Sequence, residues 1–243
     1  MIVLVISDVH GNYHALDSVM TEVKYDVMVC CGDIVVDYPF PQQCIRALKE
    51  SCAHICMGNN DYNVAYDQKA SDAISQKYAH LAKDLDRNTD LTAELISSDA
   101  KKFLRRLPRE CRFVLDGVSF YMNHTVPHLS IHHYLDKSTP ESKLVEYYQD
   151  IQADVIVTGH THLPYVKNFE DKILVNPGSI GQSRDGDPRA SFATFDTAAR
   201  RLELGRLEYD ITETREYLEK LNFPGYSLFC LKKGFLPEYP NQS

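Results

Sequence analysis

Ile2-Val3-Leu4-Val5-Ile6-Ser7-Asp8-Val9-His10-Gly11-Asn12 opens the chain with an apolar run that stops abruptly at a carboxylate and an imidazole. The run has no basic flank and is too short for a signal-peptide core, so it reads as a first strand. Asn12 then opens a helix with Leu16, Val19, Met20 and Val23 on one face. The alternation continues. Val27 to Cys31 reads as a second buried strand, Pro41 starts a helix with Cys44, Ile45 and Leu48 inward, and His54 to Met57 reads as a third strand ahead of Gly58. Short apolar runs alternating with helical periods predict an α/β domain.

Further along, residues 62–110 are long, polar and rich in Asp, Lys and Ala. They predict two helices, at about 67–85 and 92–106, as a solvated helical insertion; a cap over a binding site is the alternative reading. Beyond Pro108, Arg112 to Leu115 and Val118 to Met122 form an expected hairpin around Asp116-Gly117. A helix over 140–151, strands at Val155 to Thr158, Ile173 to Val175, Ser191 to Phe195 and Leu202 to Tyr209, and a helix over 213–222 follow. The tail from Phe223 shows no period. The length of 243 residues and the 44% hydrophobic content are compatible with one domain over 1–243.

Polar clusters sit at the ends of the apolar runs: Asp8-Val9-His10, Gly32-Asp33, Gly58-Asn59-Asn60-Asp61, Asn123-His124 and Gly159-His160-Thr161-His162. In open α/β sheets, side chains beyond the carboxyl ends of strands converge from separate loops. Carboxylate, imidazole and amide groups gathered in this way suit a pair of divalent cations, and a two-cation site suits attack on a phosphoryl centre.

Bulk properties narrow the field. The chain has 26 basic and 34 acidic residues, a formal net charge of −8, which argues against broad capture of nucleic acid or of an anionic membrane surface. No stretch approaches the roughly 20 apolar residues of a membrane-spanning helix. Seven scattered cysteines without a C-x-x-C pair predict free thiols in a reducing cytoplasm. Neither a G-x-S-x-G elbow nor a G-x-x-x-x-G-K-S/T loop occurs, which removes serine acyl chemistry and P-loop phosphate binding.

In this order the clusters resemble the calcineurin-like metallophosphoesterases, whose pattern runs D-x-H, G-D, G-N-H-D/E, a lone His and G-H-x-H. The likeness is nearest to the small prokaryotic phosphodiesterase branch. Ser7 to Asn12, a modified Gly32 to Pro41, and Asn176-Pro177-Gly178-Ser179-Ile180-Gly181-Gln182-Ser183-Arg184 carry it. The resemblance implies a four-layer αββα sandwich of two mixed β-sheets.

It also implies residue roles. Asp8, His10 and His162 would bind one cation, Asp33 would bridge, and Asn59, His124 and His160 would hold the second. Asp33, Asn59 and His124 are the expected catalytic residues, and Asn60 and Arg184 are expected to touch substrate. Mixed oxygen and nitrogen ligands predict manganese, with iron, zinc, cobalt or nickel as alternatives to it. The implied activity is a metal-dependent phosphoesterase, first a phosphodiesterase, in which a metal-bridging hydroxide attacks a small phosphate ester. A phosphatase for nucleotides, dinucleoside polyphosphates or phosphoproteins is the second reading, and a non-catalytic metal-bound scaffold the third. Homo-oligomerisation stays open.

One position departs from the pattern. Where many relatives carry a histidine that protonates the leaving group, this chain has Asn60. His128 is the candidate substitute acid, weighed against a plain loop histidine; His132 and His133 are expected in solvent. Arg184 and Arg189 could each hold a phosphate oxygen or brace the Asp185-Gly186-Asp187-Pro188 turn. Asn176 and Ser179 are expected to shape their loop.

Overall fold

Both faces of the opening strand are covered, which explains its unbroken hydrophobicity. Val3 and Val5 enter one apolar cluster while Leu4 and Ile6 enter another, the period of two that strand geometry imposes. The computed structural model describes residues 1–73 and 76–237. In chain order these form β1 (Ile2–Ile6), α1 (Tyr13–Glu22), β2 (Val27–Cys30), α2 (Pro41–Ser51), β3 (Cys52–Ile55) and α3 (Asn59–Tyr66). Two 3-10 turns (Ala70–Ala73 and Gln76–Leu81) lead to α4 (Ala82–Leu95), α5 (Ser98–Arg106), β4 (Glu110–Leu115), β5 (Val118–Asn123) and α6 (Glu141–Tyr148). The chain continues through β6 (Val155–Val157), β7 (Tyr165–Phe169), β8 (Lys172–Asn176), β9 (Ala190–Asp196), β10 (Arg201–Leu207), α7 (Thr212–Lys220) and α8 (Gly225–Lys233).

Two five-stranded sheets result, in the orders β10-β9-β1-β2-β3 and β4-β5-β6-β8-β7. Each is mixed: β1, β2 and β3 run parallel while β9 is antiparallel to β1, and β5, β6 and β8 run parallel between antiparallel β4 and β7. The inner core joins Val3, Val5 and Val29 of the first sheet to Phe120, Met122 and Val157 of the second. Outside the first sheet, Leu4 and Ile6 meet Leu16 and Val19 of α1 and Leu48 of α2. Outside the second, Tyr121, Ile156 and Leu174 meet Leu144 and Tyr148 of α6. The architecture is therefore the expected α/β fold, with two sheets face to face between helical layers. Each fully buried aliphatic side chain contributes about 1.5–3 kcal/mol, so the strand ends that carry the polar clusters stand on a rigid floor.

Several elements differ from expectation. The third strand lies two residues earlier than the predicted 54–57, because Met57 N donates to Pro108 O at 2.7 Å and leaves the sheet. The predicted helix over 67–85 is interrupted: α3 ends at a left-handed Asp67, 3-10 turns follow, and α4 starts only at Ala82; residues 74 and 75 lie outside the described residues. The predicted helix over 92–106 is divided where Ser97 caps α5 by accepting from Ala100 N at 3.1 Å. The aperiodic tail contains α8, which buries Tyr226, Ser227, Cys230 and Leu231; residues 238–243 lie outside the described residues. Among the described residues no helix is long and apolar enough to cross a membrane, and the seven cysteines are free.

Candidate metal centre

Each polar cluster follows the carboxyl end of its strand: Asp8 after β1, Asp33 after β2, Asn59 after β3, His124 after β5 and His160 after β6. The loops turn sharply to point these side chains inward. Asp8, His10, Asp33, His160 and His162 all have left-handed backbones, with φ between 52° and 68°. Such a conformation costs a non-glycine residue on the order of 1–3 kcal/mol and persists only where its surroundings impose it. Here backbone bonds impose it: Asp8 N donates to Gly32 O at 3.0 Å, His10 N to Asp33 O at 2.9 Å, and His160 N to the Asp8 carboxylate at 3.1 Å. Two glycines permit the close approach. A Cβ on Gly58 would lie 2.1 Å from Asp33 Oδ1, and one on Gly159 would lie 2.1 Å from Ser7 Oγ.

Six of the seven residues meet in two buried groups that share one carboxylate. Asp8, His10, Asp33 and His162 make the first and Asp33, His124 and His160 the second, with the donor atoms of each group within 4.8 Å of one another. Asp33 Oδ2 stands 3.7 Å from His10 Nε2 and 3.4 Å from His124 Nε2. Asn59 completes the second group. Its side-chain amide stands 3.2 Å from Asp33 Oδ2, 2.7 Å from His160 Nδ1 and 3.3 Å from His124 Nε2, and its two orientations present either the nitrogen as a donor or the oxygen as a ligand. The donor set thus fits two divalent cations, with Asp33 common to both.

The outer faces of three of the four imidazoles have partners. His124 Nδ1 lies 2.6 Å from Cys31 O, and His162 Nδ1 contacts Gln182 O. His10 Nδ1 lies 3.0 Å from Asp37 Oδ2, an ion-pair contact not aligned as a straight hydrogen bond. Such partners place the lone pair of each Nε2 toward the centre. Asp37 belongs to the modified Gly32 to Pro41 stretch. Val36 and Asp37 are both left-handed (φ 79° and 73°), a severe conformation for a β-branched valine. The turn sends Asp37 under His10, where Asn88 Nδ2 and Gln182 Nε2 donate to it at 2.8 Å each and Tyr226 OH donates as well.

Without cations the charges rearrange. Burial opposes protonation of His10, but Asp37 and Asp8 outweigh it and raise its pKa to about 9. His124 is likewise disfavoured by burial and raised to about 10 by the charge of Asp33. Burial and neighbouring cationic groups hold His160 and His162 well below the usual imidazole value. Burial also works against ionising Asp33, yet His124 and His10 keep its carboxyl well below the carboxylate range. Positive charge on these two imidazoles would stand where a metal centre places its own.

The remaining expected residues separate clearly. Asn60 lines the cleft in front of the centre, but its backbone N and its Nδ2 both donate to Asp33, at 2.8 and 2.7 Å. Asp61 accepts from Ile34 N and Gly58 N, tying two ligand loops together; burial and the charge of Asp33 raise its pKa to about 7. Arg184 lines the same cleft, donating from one nitrogen to Gln182 Oε1 at 3.0 Å while its buried Nε has no partner. Arg189 instead pairs with Asp187 at the surface and braces the turn. His128 lies in a separate pocket behind His124. His132, expected in solvent, lines the metal-side cleft; with no motif spacing around it, only the folded chain reveals this. Asn176 and Ser179 shape their loop, bonding Gly159 O at 2.8 Å and Asp8 O at 2.6 Å.

Comparison with known proteins agrees with this geometry. The calcineurin-like phosphoesterase superfamily domain matches residues 1–200. An uncharacterized protein of Methanocaldococcus jannaschii is 31% identical over 243 residues, covering 91% of this chain and 93% of the relative. A crystal structure of a metallophosphoesterase from Sphaerobacter thermophilus is similar with TM-score 0.79 and 25% identity, covering 96% of this chain and 99% of the other. A hypothetical protein from Pyrococcus horikoshii shares the fold with TM-score 0.80 at 18% identity, covering 97% and 99% of the two chains.

Proposed function

Because this chain belongs to the calcineurin-like phosphoesterase superfamily, we propose that it is a dinuclear metal-dependent hydrolase of phosphate esters, acting on diesters ahead of monoesters. The observation that carries the reading is the shared Asp33 between two buried ligand groups. Asp8, His10, Asp33 and His162 would hold one cation, and Asp33, Asn59, His124 and His160 the other. When bound, such a pair supplies an acidified water as nucleophile and neutralises charge on the phosphoryl oxygens.

The chain's own groups do the rest. Asn60 keeps the Asp33 carboxyl oriented through two hydrogen bonds. Arg184 offers its unpartnered Nε to a non-bridging phosphate oxygen, a charge-assisted bond that strengthens as negative charge develops. Asn60 has no proton to give at the leaving group, and a diester monoanion asks less of such a site than a monoester does. Manganese is the first candidate metal on the mixed nitrogen and oxygen ligands. The test is a screen of demetallated protein in which each divalent ion is added back singly against an aryl phosphodiester and an aryl phosphomonoester. Metal-restored hydrolysis with the diester faster supports the reading; a faster monoester moves it to the phosphatase alternative, and no hydrolysis with any ion to a scaffold.

A further inference from the structure

The cleft in front of the metal centre has two unlike sides. Its floor is polar, with Asp33, Asn60, His160 and Arg184. Its wall is apolar and aromatic, made by Tyr78, Leu81 and Leu85 from one side, Tyr226 and Leu236 from the chain's end, and Tyr134 at the mouth. The wall is a built feature. Leu81, Tyr226 and Cys230 form a buried cluster against which Tyr78, Leu85 and Leu236 pack. Asn88 of α4 bonds the Tyr226 hydroxyl at 2.6 Å and Asp37 at 2.8 Å, locking the helical segment and α8 to the loop under His10. Tyr134 lies with its ring centroid 4.2 Å from that of His160, tilted by 33°, and is 45% exposed. The cavity is about 90 Å³, small against the roughly 300–1,000 Å³ that encloses a whole organic ligand, so the organic group of a bound ester extends to the open mouth at Tyr134.

We propose that this wall makes the site selective for phosphate esters whose organic group is a flat aromatic, held against Tyr134 with the phosphoryl group on the metal side. The inference rests on the phosphoesterase reading and adds to it the class of ester. Aromatic rings prefer offset or edge contacts with other rings and gain beyond their buried area, whereas a small alkyl group leaves most of the wall uncovered. On this account the segment within 62–110 that reads as a solvated insertion contributes a side of the substrate cleft.

Non-hydrolysable ligands test the wall apart from turnover. Calorimetric titration of the manganese-loaded protein with methylphosphonate, octylphosphonate and phenylphosphonate compares the bare anion, an aliphatic chain and an aromatic ring. The expected result is phenylphosphonate binding about tenfold tighter than methylphosphonate and tighter than octylphosphonate. Tyr134→Ala should reduce the phenyl-to-methyl ratio severalfold, and Tyr134→Phe should preserve it. Equal affinities for phenyl and methyl, or a preference for octyl, would overturn the wall's role while leaving phosphoryl binding intact. Failure of all three ligands to bind would overturn the phosphoesterase reading along with it.

Discussion

His10 Nε2 and His162 Nε2 face each other at 3.0 Å in a fully buried site. With His162 Nδ1 on a carbonyl and His10 Nδ1 against Asp37, two neutral rings would oppose lone pair to lone pair. A proton on His10 resolves the conflict in the metal-free protein, and a cation resolves it in the loaded one. Metal binding should therefore expel protons. His10 and His124 have pKa values raised to about 9 and about 10, so both are charged below pH 9 and both must lose a proton when ligated. His160 and His162, lowered well below the usual value, release none at neutral pH. Calorimetry at pH 8 in buffers of different ionisation enthalpy should report about two protons released per dinuclear centre. Apparent affinity should climb with pH until about 10 and then level; affinity independent of pH between 7 and 9 would contradict the assignment.

Asp37 sets the tautomer of His10 without reaching the centre. Removing its charge with Asp37→Asn keeps the shape but loosens that imidazole, and loss of such an outer partner costs about 10–100-fold in metal affinity. The weakening should fall on one of the two ions, seen as a split between two binding steps. Uniform weakening of both would mean that Asp37 acts through the fold instead.

Asn60 stands where a leaving-group acid would be useful. Asn60→His should raise turnover on alkyl phosphodiesters more than on aryl ones, since general-acid catalysis is worth about 10²–10⁴-fold where the leaving group is poor. The substitution also removes the Asn60 Nδ2 bond to Asp33, so part of the gain is offset. Steady-state rates for a matched alkyl and aryl pair decide it; an identical change on both substrates rejects the acid role.

Gly58 is held to its identity by space. A Cβ there would lie 2.1 Å from Asp33 Oδ1 and 2.2 Å from Asp33 N. Gly58→Ala should cost about 1–3 kcal/mol of stability from overpacking and displace the shared carboxylate, lowering metal content. Thermal denaturation with elemental analysis of the purified variant checks both effects, and a fully metallated, equally stable variant would refute the packing argument.

Much of this was legible in the residues themselves. The seven polar groups at strand ends do converge, because a strand's direction fixes where its following loop emerges and ordered motifs report those loops. What escaped sequence reading has physical causes. Asp37 reaches His10 only through two consecutive left-handed residues, one of them a valine, a conformation no propensity predicts. His132 comes to the cleft through a loop without period. α8 stayed hidden because Gly, Pro and aromatic residues blur a short helical stripe whose meaning comes from packing against Leu81. The interrupted helix over 67–85 reflects turns that polar composition cannot locate.

On the proposed reading Asp33 serves two metal sites at once. Demetallated protein titrated with Mn²⁺, with bound metal and phosphodiester hydrolysis followed together, puts this to the test. Two ions per chain, activity appearing as the second site fills, and loss of both ions in Asp33→Ala are the predicted results. A stoichiometry of one or none, or hydrolysis that survives complete demetallation, would contradict it.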